Sequence, residues 1–275
     1  MIAQILFIAL TLAAIALFSF NAKKVIRNIR LGKPADRFDQ PQKRLMTMLK
    51  VAFGQTKMFF RPIPALLHLF VYLGFVIINL EVLEIMIDGI FGTHRIFGGL
   101  GALYNGLIGA FEFLALSVWL ACVIFLIRRN ILKLKRFSGV EMTSWPRSDA
   151  NYILIAEILL MTAFLLMNAA DYKLQNMGVE HYIVAGAFPV GQFLQNILPD
   201  NASGLIMIER SAWWFHIAGI FVFLNYLPYS KHFHIMLAFP NTWFSKLGAS
   251  APPSGMAVIS SEDALTVIEW IRVSE

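Results

Sequence analysis

Five apolar segments, at residues 2–20, 64–87, 103–127, 152–170 and 211–229, set the solvent for which this chain is built. Each is close to the ~20 residues that a helix needs to cross the hydrocarbon core of a bilayer. The expected fold is therefore all-α, an integral membrane bundle of five helices. Composition points the same way. Hydrophobic residues make up 58% of the chain and charged residues 15%, where a soluble domain carries about 25% charged residues.

The charges are unevenly placed. Of 23 Lys and Arg residues, eleven fall between residues 21 and 61 and six between 128 and 149, while Lys231 and Lys246 follow the fifth segment. The alternate loops carry only Arg95, Lys173 and Arg210. Cytoplasmic loops collect Lys and Arg, so the expected topology has the N-terminus outside and the C-terminus in the cytoplasm. Topology and contact with lipid headgroups account for the net charge of +6, and no nucleic-acid partner is expected. Lys23 and Lys24 follow the first apolar run instead of preceding it, which reads as a retained anchor, not a cleaved signal peptide. A single cysteine, Cys122, rules out a disulfide framework. It also rules out an iron–sulfur cluster held by this chain alone, which takes about four thiolates.

Residues 1–247 read as one transmembrane domain and 248–275 as a short cytoplasmic tail with a weak amphipathic run at 264–273. Residues 45–53 suit a short amphipathic helix on the inner surface. Gly98, Gly99, Gly101, Gly106 and Gly109 open the third segment, where small residues would let helices or a flat macrocycle approach closely. The stretch 182–198 is apolar but broken by Gly186, Pro189 and Gly191, and reads as a lid along the outer interface. Trp213 and Trp214 mark the outer end of the fifth segment, as an aromatic belt does.

Three of the six histidines carry a chemical suggestion. His216 and His234 are 18 residues apart, which is five turns and about 27 Å of continuous helix. A helix running on through Pro228 would present both on one face. His68 lies near the cytoplasmic end of the second segment, level with His234. Neutral imidazoles on facing helices ligate haem iron well, and an unpaired polar ring inside a membrane is otherwise costly. His68 and His234 are thus the candidate ligands of an inner haem b, and His216 of an outer one. The outer haem has no second histidine on the second segment, and Met86 or His94 is left as its open partner. His94 and His181 otherwise read as solvated loop residues. His232, rotated about 160° from His216, reads as a surface residue.

Carboxylates form the other set. Glu81, Glu84 and Asp88 share one side of the second segment, Glu112 lies in the third and Glu157 in the fourth. Carboxyls at these depths are costly and usually functional. Glu81, Glu84 and Glu112 are candidates for proton handling at a quinone site.

The run Pro228, Tyr229, Ser230, Lys231, His232, Phe233, His234 forms a P-x-S-K-x-x-H pattern at the inner end of the last segment. With five spans and histidines on the second and fifth, the chain resembles the cytochrome b (gamma) subunit of respiratory nitrate reductases. It is similar also to the membrane subunits of heterodisulfide-reductase-like complexes. It more closely resembles the N-terminal membrane domain of bacterial iron–sulfur oxidoreductases of the electron-transfer-flavoprotein:menaquinone oxidoreductase type. Further motifs carry that resemblance: residues 27–33, 54–58 and 76–84, the run Gly92, Thr93, His94, Arg95, and residues 226–234. It covers residues 1–247 and implies haem b at His68, His216 and His234 in a bacterial inner membrane. The nitrate reductase subunit places a second histidine on its second helix, where this chain has Ile78 and Asn79, so one haem is expected and two are possible on these residues. Members of the iron–sulfur family continue into a cytoplasmic cysteine-rich part. This chain ends 28 residues after Leu247 with no cysteine among them, so the clusters are expected on a partner or on a missing domain to which the tail is a truncated link.

The expected function is a membrane haem b component passing electrons between a cytoplasmic iron–sulfur protein, with electron-transfer flavoprotein as a further candidate partner, and menaquinone. Two other classes stand beside it. One is a haem-free membrane anchor of an oxidoreductase. The other is a transporter or channel using Glu81, Glu112 and Glu157, against which stands the lack of an internal repeat or a broken helix pair.

Overall fold

The structure, a computed structural model, describes residues 1–32, 37–55, 62–132 and 145–247. The tail 248–275 and the Thr56, Lys57, Met58 part of one motif lie outside the described residues. Regular structure among the described residues is entirely helical. In chain order the α-helices are α1 (Ile2–Arg30), α2 (Pro41–Met48), α3 (Pro62–Phe91), α4 (Ala102–Leu126), α5 (Trp145–Asn176), α6 (Gly191–Leu194), α7 (Ala202–Tyr226) and α8 (His234–Trp243). Five of them, α1, α3, α4, α5 and α7, are long and apolar enough to cross a membrane, consistent with a multi-pass membrane protein.

All five outrun the apolar segments that announced them or match them closely, with lengths of 29, 30, 25, 32 and 25 residues. At about 1.5 Å per residue, 30 residues span about 45 Å, which is the hydrocarbon core with both headgroup layers. Polar flanks such as Asn21–Arg30 therefore stay helical beyond the apolar run.

The chain forms two compact units, one of Met1–Ile29 and Leu66–His232, the other of Arg30–Ala65 and Phe233–Glu275. In the first, α5 is the central post. Of its apolar window 56% is buried, against 17% for α1 and for α3, so α1 and α3 turn most of their surface outward to lipid. Ile108 and Ala115 of α4, Phe164 and Ala169 of α5 and Ile217 of α7 fill the centre with essentially no exposure. Among the expected glycines, Gly98 comes close to Ala185, where a Cβ would lie at 3.0 Å, and Gly109 lies in ordinary contact with Ala187 and Pro189; other glycines bring helices together. Gly219 of α7 faces Leu160 of α5, and Gly89 of α3 faces the Phe7 ring of α1. A Cβ on Gly99, Gly101 or Gly106 would meet nothing within 4 Å, and Gly98, Gly99 and Gly101 lie in and just after the turn Ile96–Leu100.

The last span ends earlier than the histidine spacing requires. After Tyr226 the chain tightens into a 3-10 turn over Leu227–Tyr229 and then extends at Ser230 (φ −115°, ψ 160°). Asp149 of α5 captures this end, accepting from the Tyr226 hydroxyl at 2.5 Å and from the Lys231 backbone N–H at 2.9 Å. The expectation of one continuous helix carrying His216 and His234 is thereby corrected: His234 is the first residue of a separate helix, α8. Pro228 removes a backbone donor, and the distant carboxylate takes the Lys231 N–H beyond it.

In the second unit, α2 runs on into a wider π-turn at Leu49–Phe53, which matches the short helix expected at 45–53. Arg44, 3% exposed, donates to the carbonyls of Trp243 (2.8 Å) and Ser245 (2.9 Å) at the end of α8 and pairs with Asp39. Phe53 stacks edge-on against Phe239.

Candidate functional site

The α3–α4 turn carries Thr93, His94 and Arg95, residues that a loop ordinarily shows to solvent. Here they face the bundle. Arg95 has a left-handed backbone (φ 52°), which costs a non-glycine residue about 1 kcal/mol. Asp88 at the end of α3 sustains it, accepting from the backbone N–H of Arg95 (2.7 Å) and of Ile96 (3.2 Å) and from the Thr93 hydroxyl.

So held, the Arg95 side chain enters the bundle with the residue 6% exposed. Its Nε donates to Asp171 Oδ2 at 2.7 Å and its Nη2 to Asn168 Oδ1 at 2.8 Å, both on α5. Its Nη1 donates to the Tyr104 hydroxyl of α4 at 3.2 Å and to Glu81 Oε1 of α3 at 3.4 Å. The guanidinium stands 4.9 Å from the centre of the Phe188 ring, a cation–π distance. Burial works against this charge, but Asp171, Tyr104 and Glu81 outweigh it and hold the Arg95 pKa well above its ordinary value. One side chain thus ties three spans together. A buried charge persists only when paired in this way.

A cavity of about 300 Å³ opens beside this network. Its walls include Glu81, Glu84 and Asp88 of α3, His94 and Arg95 of the turn, Met167 and Asp171 of α5, and Glu209, Arg210, Trp213 and Trp214 of α7. Glu84 is engaged, accepting from Tyr104 OH at 2.7 Å and from the Phe97 N–H at 2.9 Å. Glu81, 2% exposed, gives one oxygen to Arg95, and its Oε2 is buried with no hydrogen-bond partner among the described residues. The His94 side chain is 9% exposed, and its Nε2 lies 3.2 Å from Asp171 Oδ1. Its Nδ1 is buried with no hydrogen-bond partner among the described residues.

At the rim, the Tyr182 hydroxyl donates to Glu209 Oε2 at 3.0 Å, and Arg210 pairs with the same carboxylate. The rings of His94, His181 and Tyr182 cluster with centroids 5.1 to 5.5 Å apart. Burial, and then the neighbouring His94, lower the His181 pKa. Burial and the Glu209 carboxylate raise that of the Tyr182 phenol.

The structure brings Glu81 and Glu84 into one cavity and leaves Glu112 out of it. Glu112, fully buried, accepts from the backbone N–H groups of Val190 (2.7 Å) and Gly191 (3.0 Å), and so pins the 182–198 stretch to α4. His216, 1% exposed, is one turn along α7 from Trp213. Its Nδ1 donates to the Leu160 carbonyl at 2.9 Å, and its Nε2 is buried with no hydrogen-bond partner among the described residues. His68 is half-buried on α3 in the first unit, and His234 is exposed in the second. His232 is half-buried, its ring 5.3 Å from that of Phe223, where a surface residue was expected. No group of three or more His, Cys, Asp or Glu side chains is placed to hold a bare metal ion among the described residues.

Sequence reasoning missed Arg95, Asn168, Asp171, Glu209 and the role of His94. One signal was available: Lys and Arg are scarce in the loops that carry Arg95, so an arginine there stands out.

No protein-family model matches this chain, and no solved structure is recognisably similar to it. Two curated proteins are similar. The probable iron–sulfur-binding oxidoreductase FadF of Bacillus subtilis is 26% identical over 246 residues, which cover 88% of this chain and 33% of that protein. The EtfAB:quinone oxidoreductase of Syntrophomonas wolfei is 24% identical over 243 residues, 86% of this chain and 33% of its own length. The chain spans about a third of the length of these relatives. Both relatives are oxidoreductases by name, one iron–sulfur-binding and the other acting on quinone.

Proposed function

We propose that this chain is the membrane electron-transfer part of an iron–sulfur oxidoreductase and exchanges electrons with a quinone bound in the α3–α5–α7 cavity. That cavity carries the reading. Its ~300 Å³ lies at the low end of small-ligand sites, enough for a ring headgroup whose isoprenoid tail stays in lipid. Trp213 and Trp214 supply aromatic surface, and Glu81 supplies a buried carboxyl for the protons that accompany quinone reduction. The names of the two relatives, one an iron–sulfur oxidoreductase and one a quinone oxidoreductase, agree with it. Glu84 and Glu112 serve as supports, one holding Tyr104 and the turn, the other the lid.

Haem b belongs to the same proposal, and His216 fits it best. A carbonyl only accepts, so the bond to Leu160 places the proton on Nδ1 and leaves a bare lone pair on buried Nε2. Ligating histidines are oriented in this way by a second hydrogen bond. His68 and His234 are the further ligands that the nitrate-reductase-gamma-like resemblance implies. Bound haem supplies one-electron redox chemistry, and the chain sets its surroundings. The remaining terms are menaquinone as the quinone, a cytoplasmic iron–sulfur protein and electron-transfer flavoprotein as partners, the clusters on a partner or missing domain, and a bacterial inner membrane with the C-terminus inside.

Two measurements on the detergent-solubilised chain test this. Menadione should quench the fluorescence of Trp213 and Trp214 saturably, and W213F/W214F should abolish the saturable part. A reduced-minus-oxidised spectrum with a pyridine haemochrome assay should show b-type haem, lost in His216→Ala with helix content retained. Unsaturable quenching removes the quinone site. A flat spectrum from folded, haem-supplied protein removes the cytochrome and leaves a haem-free anchor.

A further inference from the structure

We infer that the outer face of α3 is a self-association surface: a second copy of this chain lays its own α3 alongside in parallel, and the two Asn79 amides pair across a two-fold axis along the membrane normal. The pairing needs neither quinone nor haem.

α3 has two faces. Gly74, Ile78, Glu81 and Ile85 are buried against the bundle, and Gly74 lies against Val118 of α4. On the far side Val76 is 47% exposed and Leu83 52%. Asn79 is exposed between them. α3 runs from Pro62 to Phe91, so Asn79 lies about 4 Å along the axis from the helix midpoint. That is deep inside a hydrocarbon core about 30 Å thick. No water satisfies an amide at this depth, and polar groups left unpaired there are costly.

The Asn79 amide has work left to do. Its Nδ2 donates to the Phe75 carbonyl, one turn back in the same helix. An amide carries two N–H groups and an acceptor oxygen, so one N–H and Oδ1 remain, with no partner among the described residues. Other amides on the spans are tied into the bundle. Asn168 accepts from Arg95 at 2.8 Å, and Asn225 donates to the Ala14 carbonyl of α1 at 3.2 Å. Asn79 alone of these three turns outward.

The spacing on this face fits another helix. Tyr72, Val76, Asn79, Leu83, Met86 and Ile90 follow one another by four and three residues alternately. This is the heptad period of a left-handed coiled coil, and most membrane helices cross in that hand, at about +20°. Asn79 sits mid-seam. A second copy inserts with the same topology, so a two-fold axis along the membrane normal brings the same residue of a parallel α3 to the same depth. Oδ1 of each amide then accepts from the remaining N–H of the other. The chain makes such a pair internally, where Asn130 and Asn151 exchange hydrogen bonds of 3.2 and 3.0 Å. Lipid tails offer neither donor nor acceptor, and a foreign helix would need its own polar group at this depth. A single amide in an apolar seam also fixes register, because a slip leaves both amides against hydrocarbon.

The test is energy transfer between donor- and acceptor-labelled full chains in liposomes, followed against the protein-to-lipid ratio. Wild-type chains should associate reversibly. Asn79→Leu keeps the size and loses both interhelical hydrogen bonds, so the dissociation constant should rise about tenfold. Asn79→Gln keeps an amide and should lose less. Cysteine cross-linking in a Cys122→Ala background locates the contact. Leu83→Cys should give a disulfide-linked dimer on oxidation, and Val222→Cys, 72% exposed on α7, should not. Wild-type chains that stay monomeric at every ratio overturn the inference. So does a dimer that Asn79→Leu leaves unchanged, or one linked through Val222→Cys and not through Leu83→Cys. Capture of Leu83→Cys by a different polypeptide in native membranes, with no self-linked dimer, overturns it as well and gives the face to another subunit. Asn79→Val replaces Asn79→Leu should the latter lose helix content by circular dichroism.

Discussion

Replacing Arg95 by Gln tests whether the buried network holds the bundle together. The substitution removes a charge that sits between Asp171, Glu81, Tyr104 and Asn168 in a residue 6% exposed. Removing one member of a buried ion pair costs about 3–5 kcal/mol, because the partner is left charged and desolvated. Gln retains one amide donor group, so the lower half of that range is expected. Unfolding of the detergent-solubilised chain by increasing SDS fraction, followed by far-UV circular dichroism, reads this directly. The diagnostic is the double-mutant cycle with Asp171→Asn. Once the carboxylate is gone the guanidinium has less to pair with, so the two losses should fall short of additivity by about 1–3 kcal/mol. A cost for Arg95→Gln below about 1 kcal/mol, the level of an exposed pair, would refute the reasoning. So would strict additivity.

Other outcomes follow from single contacts. A Cβ on Gly89 would lie 2.6 Å from the Phe7 ring, which is packed against Trp213 and Phe221 and has nowhere to withdraw. Gly89→Ala should destabilise by about 1–3 kcal/mol in the same SDS titration, while Gly106→Ala, with open space around it, should be neutral or stabilising by about 0.5–1 kcal/mol. Folding lowers the His181 pKa, so the folded state resists its protonation, and its contribution to stability is lost as pH falls through the ordinary histidine range. His181→Asn should flatten the fall in melting temperature between about pH 7 and pH 5, and an unchanged slope would sink the assignment. Arg44→Ala removes the donor that ties the Trp243 and Ser245 carbonyls, and hydrogen exchange across residues 236–245 should rise about tenfold for a loss of about 1.4 kcal/mol.

The parts of this molecule legible in its sequence are those decided by short-range chemistry against a fixed solvent. Five spans could be counted because a run of apolar residues near 20 long has one stable outcome in lipid. Glu81 and Glu84 could be singled out because a carboxyl inside such a run has to be explained. Span ends were less legible: α5 begins at Trp145, seven residues before the apolar run, because hydropathy reports where lipid ends and not where the helix does.

The two larger surprises share a cause, a carboxylate far along the chain. Asp149 is 82 residues from Lys231, and nothing near Pro228 shows that its hydrogen bonds will end the helix there and break the five-turn register between His216 and His234. Likewise, Arg95 and Asp171 are separated by 76 residues, and each alone reads as the polar end of a span. Only their meeting turns a loop arginine inward and brings His94 with it to the wall of a cavity. Inside lipid the apolar contacts that specify a soluble core discriminate weakly, since the solvent is as apolar as the side chains. Register and helix termination then fall to the few buried polar pairs, and those are set by tertiary partners that local sequence does not show.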